Sequence, residues 1–317
     1  MIKQVIIFGG SGFLGKYIVK HLADLGYIVK IFSRNQEKAK RLKLCGHPGQ
    51  IVVVGGYILD ESVISKHIKG CDVVINLIGI LNESKTQKFY TVHVDIAEKI
   101  AIVAKTNNVS LMIHFSAMEV EGNCSSKYAQ SKLLGENAVA SAFPEAIIIR
   151  PSLVFGEEDN FFNKFAKLAS ILPFLPLINN GRMKLQPVYV DDLAKFVCYV
   201  IKLKNHNQKL YHIGGPKVYP IKSLFKFIIT ITNRKCLLVN IPLPIAKFIA
   251  FICEFKLISI LLKPITGNVE PLITRDQIKF LCNGSGFEQS HELEKAKIRA
   301  TPIESIVPKY LKIYKKV

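Results

Sequence analysis

Residues 5 to 22, VIIFGGSGFLGKYIVKHL, run from an apolar stretch into glycines at positions 9, 10, 12 and 15 and then into a helical pattern. Such a sequence folds as a strand, a tight turn and a helix whose free N-terminal N–H groups and positive dipole end face a phosphate. Gly9 allows the turn out of the strand, Gly12 admits a pyrophosphate close to the backbone, and Gly15 lets the helix lie close on the sheet. The spacing is Gly-x-x-Gly-x-x-Gly, which widens the loop slightly relative to the Gly-x-Gly-x-x-Gly fingerprint. A bound dinucleotide is the leading inference.

The chain continues in the pattern that this opening demands. Short apolar stretches at 27–33, 51–56, 72–79, 110–116 and 146–150 read as strands, with helical patterns around 35–44, 60–69, 87–106 and 126–142 between them. Alternation of this kind predicts an α/β fold, a parallel sheet doubly wound by helices in the Rossmann manner. Residues 1–155 form the expected dinucleotide-binding domain, completed by a strand and helix at 186–201 and a last strand at 210–215. Residues 156–185 and 216–317 form a smaller, mostly helical substrate or docking region. Within it Phe161, Phe162, Phe165 and Leu168 share a helical face, followed by the proline-spaced loop ILPFLPLI.

The segment 236–262 is unusually apolar, but Lys247, Glu254 and Lys256 interrupt it and Pro242 and Pro244 break its start. It therefore lacks the roughly 18 uncharged residues of a membrane-spanning helix. Two readings stand: a buried packing helix, or a surface that docks on a membrane or a large partner.

Of 317 residues, 49% are hydrophobic and 21% charged, which marks an ordered globular chain. Cys45, Cys71, Cys124, Cys198, Cys236, Cys253 and Cys282 are scattered without a Cys-x-x-Cys pair, suggesting reduced thiols and no metal site. The net charge of +19 is uneven: residues 1–200 carry 23 basic and 17 acidic side chains, residues 201–317 carry 20 and 7. Lysine dominates without interleaved aromatics or a nucleic-acid motif, so nucleic acid is excluded as a partner and an anionic membrane surface, an acidic protein or plain solvent remains. The first strand starts within a few residues of Met1, which predicts no signal or transit peptide and a cytoplasmic chain, or one peripheral on the cytosolic face of a membrane.

The end of the second strand reads Ile31, Phe32, Ser33, Arg34, with no acidic residue to accept from a ribose 2′-hydroxyl. A hydroxyl and a guanidinium suit a 2′-phosphate, so NADP(H) is preferred over NAD(H). Tyr128 and Lys132 lie four apart on the helix after the fifth strand and so share one face. An ammonium there would lower the phenol's pKa and let Tyr128 exchange a proton with a carbonyl or alcohol.

At this point the chain resembles the short-chain dehydrogenase/reductase superfamily, in its extended or atypical branch. GGSGFLG, NLIG at 76–79, Tyr128 with Lys132, and RPSLVFG at 150–156 match in order. The stretches VHVDIAEKIA, HFSAMEVEG, KYAQSKLLGE, RPSLVFGEEDNFFNKFAKLA, LQPVYVDDLA and YHIGGP are most similar to the nucleotide-binding accessory subunits of respiratory complex I, of the alpha-subcomplex subunit 9 type. The resemblance implies cofactor contacts from Gly9, Ser11, Gly12, Phe13, Leu14 and Gly15, from Ser33 and Arg34, and from Leu77, Ile78 and Gly79. It adds Ser116, Pro151, Tyr128 and Lys132, the last two at the nicotinamide ribose and as the catalytic pair.

Two positions depart from the catalytic superfamily. The serine or threonine that polarises the substrate carbonyl falls at Ala117 when VEG at 120–122 is aligned to the usual V-Y-G; Ser116 is one position off, and Ser125 or Ser126 would need a rearranged loop. Losing such a donor costs on the order of 10²- to 10³-fold in rate. His93 stands where many members carry Asn, and is read as a satisfied histidine opening a helix. Three uses of the nucleotide follow: a structural ligand of a complex I accessory subunit, the cofactor of an NADPH-dependent reductase or sugar-nucleotide epimerase, or, more weakly, the signal of a redox sensor.

Overall fold

A computed structural model describes residues 3–118, 120, 125–255, 258, 271–283 and 289–316. Seven strands form one parallel sheet: β1 (Gln4–Phe8), β2 (Ile28–Phe32), β3 (Ile51–Val54), β4 (Val73–Asn76), β5 (Leu111–Phe115), β6 (Ile147–Pro151) and β7 (Leu210–Ile213). Their spatial order is β7-β6-β5-β4-β1-β2-β3, so the order reverses between β1 and β4. The register sets Val5 against Val29 on one side of β1 and against Val73 on the other. The parallel Rossmann sheet expected from the alternation is present.

Both faces of this sheet are covered, which explains why most positions of its strands are apolar. In β1, Val5 and Ile7 point to one face and Ile6 and Phe8 to the other, and all four are fully buried. On the first face lie α1 (Phe13–Asp24), through Ile18, Val19 and Leu22, and α7 (Val190–Lys202), through Leu193, Phe196 and Val197. On the second lie α3 (Glu61–Ile68) and α4 (Ile96–Thr106), with α5 (Lys127–Ala142) packed beside α4. The short helix α2 (Gln36–Lys40) follows β2 and is capped by Asn35, whose side chain accepts from Lys38 N–H at 2.9 Å. Each fully buried aliphatic side chain contributes roughly 1.5–3 kcal/mol.

Three sequence expectations need adjustment. The helical pattern at 87–106 is not one regular helix, because Thr91–Asp95 forms a π-turn ahead of α4. The His93 carbonyl lies so close to α5 that a Cβ placed on Gly135 would sit 2.0 Å from its oxygen. The supposed loop ILPFLPLI contains a strand, Phe174–Ile178, paired in parallel with Leu237–Ile241. Proline survives there because the pair has only two strands, so Pro176 has an unpaired side on which to place its missing donor.

The third concerns 236–262, of which 256, 257 and 259–262 lie outside the described residues. Helix α9 (Leu243–Cys253) buries only Ala246, Ala250 and Cys253. Ile245 is 53% exposed and Phe248 63% exposed, so the packing-helix reading fails for most of its circumference. A separate core of the C-terminal region joins α6 (Phe162–Ile171) and α8 (Ile221–Thr232), where Phe165 and Phe225 pack at a tilt of 45° with centroids 4.4 Å apart. Among the described residues no helix is long and apolar enough to cross a membrane, no cluster of potential metal ligands occurs, and Cys45, Cys71, Cys198, Cys236, Cys253 and Cys282 are free thiols. Cys124 lies outside the described residues.

Gly135 generates a test. Gly135→Ala inserts a methyl group against the His93 carbonyl, and overpacking of this kind costs about 1–3 kcal/mol. Urea denaturation of the variant is expected to show a lowered midpoint with an unchanged slope; an unchanged midpoint would mean the π-turn yields freely.

Candidate functional site

The strand order reverses between β1 and β4, and the crevice outside the carboxyl ends of strands at such a switch point is where open parallel sheets take ligands. Gly9 leaves β1 with φ +82°, a conformation that suits glycine, and donates to the Phe32 carbonyl at 3.2 Å. Gly12 donates to the Gly9 carbonyl at 3.0 Å and occupies the N-cap of α1 without a side-chain cap. The opening N–H groups of α1, beginning at Phe13 and Leu14, are thus left uncapped by any side chain, as an anion site requires.

Gly15 does something sharper than the sequence reading assigned to it. A Cβ there would sit 2.5 Å from the Gly10 carbonyl oxygen, so the helix packs onto its own loop, and Gly10 in turn lies against Ile7 and Ile31 of the sheet. Across the crevice, a Cβ on Gly9 would touch the Leu77 carbonyl carbon at 3.3 Å. Leu77, Ile78 and Gly79 therefore form the facing wall. Phe13 reaches toward Gly156, where an added Cβ would meet its ring at 3.2 Å. Pro151 ends β6 and accepts from Met118 N–H at 3.0 Å.

At the end of β2 the side chains do not form the phosphate clamp expected of them. Ser33 is buried and its hydroxyl lies 2.8 Å from Ser11 Oγ and donates to the Asn35 carbonyl at 3.1 Å, so it is already engaged. Arg34 is exposed.

Tyr128 and Lys132 do share one face of α5, near Gly79, where an added Cβ would lie 3.7 Å from Lys132 Nζ. Lys132 is buried and donates to the Phe115 carbonyl at 2.7 Å; burial pushes its pKa down to about 8, with Glu136 opposing the shift. Burial pushes Tyr128 up to about 12, the reverse of the lowering expected from its lysine neighbour. Rings of Phe89, His93 and Phe280 pack edge-on around it at 5.7 to 5.9 Å. Ala117 lies two residues past the end of β5, and the Ser116 hydroxyl beside it is buried without a partner among the described residues. Ser126 cannot stand in for the missing donor: its hydroxyl caps α5 by accepting from Ala129 N–H at 3.4 Å and donates to Asp276 at 2.8 Å. Residues 121 and 122 of the aligned VEG lie outside the described residues.

His93 is the satisfied histidine that the sequence suggested. Its Nε2 accepts from Ile80 N–H at 3.0 Å, so Nδ1 carries the proton and donates to Ser131 Oγ at 2.8 Å, which donates to the Tyr128 carbonyl at 2.8 Å. The ring thus ties the Leu77–Gly79 wall to the helix bearing Tyr128. Burial, then the Lys132 charge, lowers its pKa to about 3.

Sequence reasoning missed two neighbours. His114 is fully buried, and its Nδ1 lies 3.1 Å from Asn76 Nδ2, which can only donate, so Nε2 carries the proton; that Nε2–H has no acceptor among the described residues. Asp276 accepts from Lys127 N–H at 2.6 Å and Tyr128 N–H at 3.0 Å across 149 and 148 positions of sequence, a separation no local pattern reveals.

His93 makes a pH prediction. Its native pKa lies below the unfolded value of 6.5, so the unfolded chain binds the extra proton and stability falls as pH drops from about 6.5 toward 3. At about 1.4 kcal/mol per pH unit, His93→Asn is expected to remove roughly 2–4 kcal/mol of this acid sensitivity, measured as urea midpoints between pH 4 and 7. Lys132 works in the alkaline window: its native pKa of about 8 lies below the ordinary 10.5, so stability rises between those values, and Lys132→Met is expected to flatten that rise.

Residues 5–214 match the NAD dependent epimerase/dehydratase family. The chain is 32% identical over 311 residues to the mitochondrial NADH dehydrogenase (ubiquinone) 1 alpha subcomplex subunit 9 of Arabidopsis thaliana, covering 95% of this chain and 76% of that protein. To the subunit of the same name from Mus musculus it is 36% identical over 275 residues, covering 86% and 70%. Among solved structures, UDP-N-acetylglucosamine 4-epimerase from Methanobrevibacter ruminantium M1 superposes with a TM-score of 0.66 at 18% identity over 98% of this chain and 96% of that one. UDP-glucuronic acid 4-epimerase from Bacillus cereus, solved with NAD, gives 0.65 at 16% identity over 98% and 99%.

Similar structures solved with a nicotinamide dinucleotide, the Bacillus cereus epimerase and the Bordetella bronchiseptica enzyme WbmH among them, hold NAD. That overturns the expected preference for NADP(H), and the engaged Ser33 and exposed Arg34 supply the physical reason. With its fold, its glycine crevice and its matched residues together, this chain belongs to the NAD dependent epimerase/dehydratase family, as a close relative of the complex I accessory subunits of the alpha subcomplex subunit 9 type.

Proposed function

We propose that the crevice holds NAD(H) as a bound ligand and that the chain serves as an accessory subunit of a membrane-bound NADH:ubiquinone oxidoreductase. The observation that carries this reading is the likeness to accessory subunits along 95% of the chain, C-terminal region included. Ala117 in place of a carbonyl-polarising donor and the upward shift of Tyr128 agree with a ligand that is held rather than turned over. The uncapped start of α1 and the close approach at Gly9 fit a pyrophosphate, with Gly12, Phe13 and Leu14 offering backbone and Ser11, Leu77, Ile78, Gly79, Ser116 and Pro151 lining the way to the nicotinamide. A bound ligand of this kind stabilises the fold by mass action without reacting.

A second reading, an NAD(H)-dependent reductase or sugar-nucleotide epimerase, is favoured by Tyr128 and Lys132 on one face of α5 and by the family match over 5–214. The dinucleotide would supply hydride acceptance and donation. Tyr128 would pass a proton through its hydroxyl, and Lys132, anchored on the Phe115 carbonyl, would hold positive charge beside it.

The apolar face of α9 is the docking side in this proposal, and its occupant is an anionic membrane surface beside the assembly. Ile245, Phe248, Phe251 and Ile252 stand exposed, with exposed Lys247 on the same helix and exposed Lys279 on Arg275–Asn283, the helix against α9, while Glu254 is neutralised by Arg275 at 2.8 Å. Exposed apolar and aromatic side chains with lysines on the same and the adjoining helix suit the interface of a negatively charged bilayer.

Three measurements test these statements. In gently solubilised membranes the chain is expected to co-migrate with complex I subunits and to release NAD(H) on denaturation; turnover abolished by Tyr128→Phe in a chain free of such subunits would favour the enzyme instead. In fluorescence titration NADH should bind at least as tightly as NADPH, with Arg34→Ala leaving the ratio unchanged. Sedimentation with phosphatidylglycerol vesicles should exceed that with phosphatidylcholine, and Phe248→Ser together with Ile245→Ser should weaken it about tenfold or more; equal binding by the variant would remove α9 from the docking face.

A further inference from the structure

Helix α10 (Arg275–Asn283) comes from the far end of the chain yet ends up on the Tyr128 side of the crevice. Its start is fixed by a reciprocal capping box: Thr274 Oγ1 accepts from Gln277 N–H at 3.1 Å and Gln277 Oε1 accepts from Thr274 N–H at 3.3 Å. The Gln277 side chain also donates to Asn82 Oδ1 at 2.9 Å, on the loop following the Leu77–Gly79 wall. Between these contacts, the Asp276 carboxylate closes over the first turn of α5. It takes Ser126 Oγ–H at 2.8 Å, Lys127 N–H at 2.6 Å and Tyr128 N–H at 3.0 Å. One turn later Phe280 meets the Tyr128 ring edge-on at 5.9 Å, adding to the packing supplied by Phe89 and His93.

We infer that α10 is an internal stopper: Asp276 and Phe280 hold it over Tyr128, which keeps only partial exposure, and narrow the approach by which a substrate would reach the phenol, leaving the dinucleotide crevice constricted on that side. The inference rests on the reading of the crevice as a dinucleotide site and gives it a physical reason for holding its ligand without turnover. A charge-assisted carboxylate on first-turn helix N–H groups is among the stronger polar contacts a protein makes, so the stopper is seated by Asp276 and the ring contact fills the space. Its other side is linked outward. The Arg275 N–H and Nε–H donate to Glu254 at 2.8 and 2.9 Å, and the guanidinium lies 5.0 Å from the Phe251 ring of α9. The stopper is therefore joined to the end of α9 by a direct ion pair and to its apolar face by the guanidinium over Phe251.

The test uses the full chain and reads the accessibility of Tyr128 by tetranitromethane nitration at that tyrosine, followed by peptide mass spectrometry. Asp276→Ala and, separately, Phe280→Ala are expected to speed nitration of Tyr128 about tenfold or more, while Tyr17, remote from α10, stays at its native rate and Phe280→Tyr stays slow. Nitration of Tyr128 within twofold of native in both alanine variants overturns the stopper. The dissociation rate of NADH, followed by its fluorescence, separates the two proposals. A native chain that binds no dinucleotide defeats the site reading, whereas bound NADH with unchanged nitration defeats only the stopper.

Discussion

Everything at the crevice depends on a zero-clearance contact between backbones. With no Cβ at Gly15, the first turn of α1 rests directly on the Gly10 carbonyl, and Gly10 rests on Ile7 and Ile31. That contact fixes how far the uncapped helix start stands from the sheet, and so fixes where a phosphate would sit. The apolar strands then do the rest. Because β1 buries side chains on both faces, the sheet cannot slip by a residue without exchanging buried positions, and the carboxyl ends of all seven strands stay level.

Much of this was legible in the sequence because it is written locally. Apolar runs bounded by turns gave the strands, the glycine spacing gave the loop, and the four-residue step from Tyr128 to Lys132 gave their shared face. What escaped was set at a distance. The π-turn at Thr91–Asp95 follows the helical period too closely for pattern to separate it, and only its contact with Gly135 marks it out. The strand at Phe174–Ile178 looks like a loop because proline is its most visible residue, yet pairing with Leu237–Ile241 decides its state. Ser33 and Arg34 read as a phosphate clamp by residue type; the hydrogen bond from Ser11, twenty-two residues away, is what commits the hydroxyl elsewhere.

The same separation of local and distant information divides the two halves of the functional question. The family match and its crevice lie within residues 5–214, whereas the proposed docking face and stopper, α9 and α10, come from the last quarter of the chain. Tyr128 shows the point most directly. Its position relative to Lys132 is a property of one helix, but its raised pKa is a property of the company that other segments bring to it, Phe280 among them. Residue identity alone therefore describes a proton donor, and the folded surroundings describe a phenol held neutral.

His93 carries one more implication. Both of its nitrogens are engaged, one receiving the Ile80 amide and the other giving to Ser131. A proton can reach Nε2 only if the Ile80 amide lets go, so ionising this ring and unfastening the wall of the crevice from α5 are a single event. The histidine is in that sense a latch whose key is acidity, and in neutral solution it stays shut.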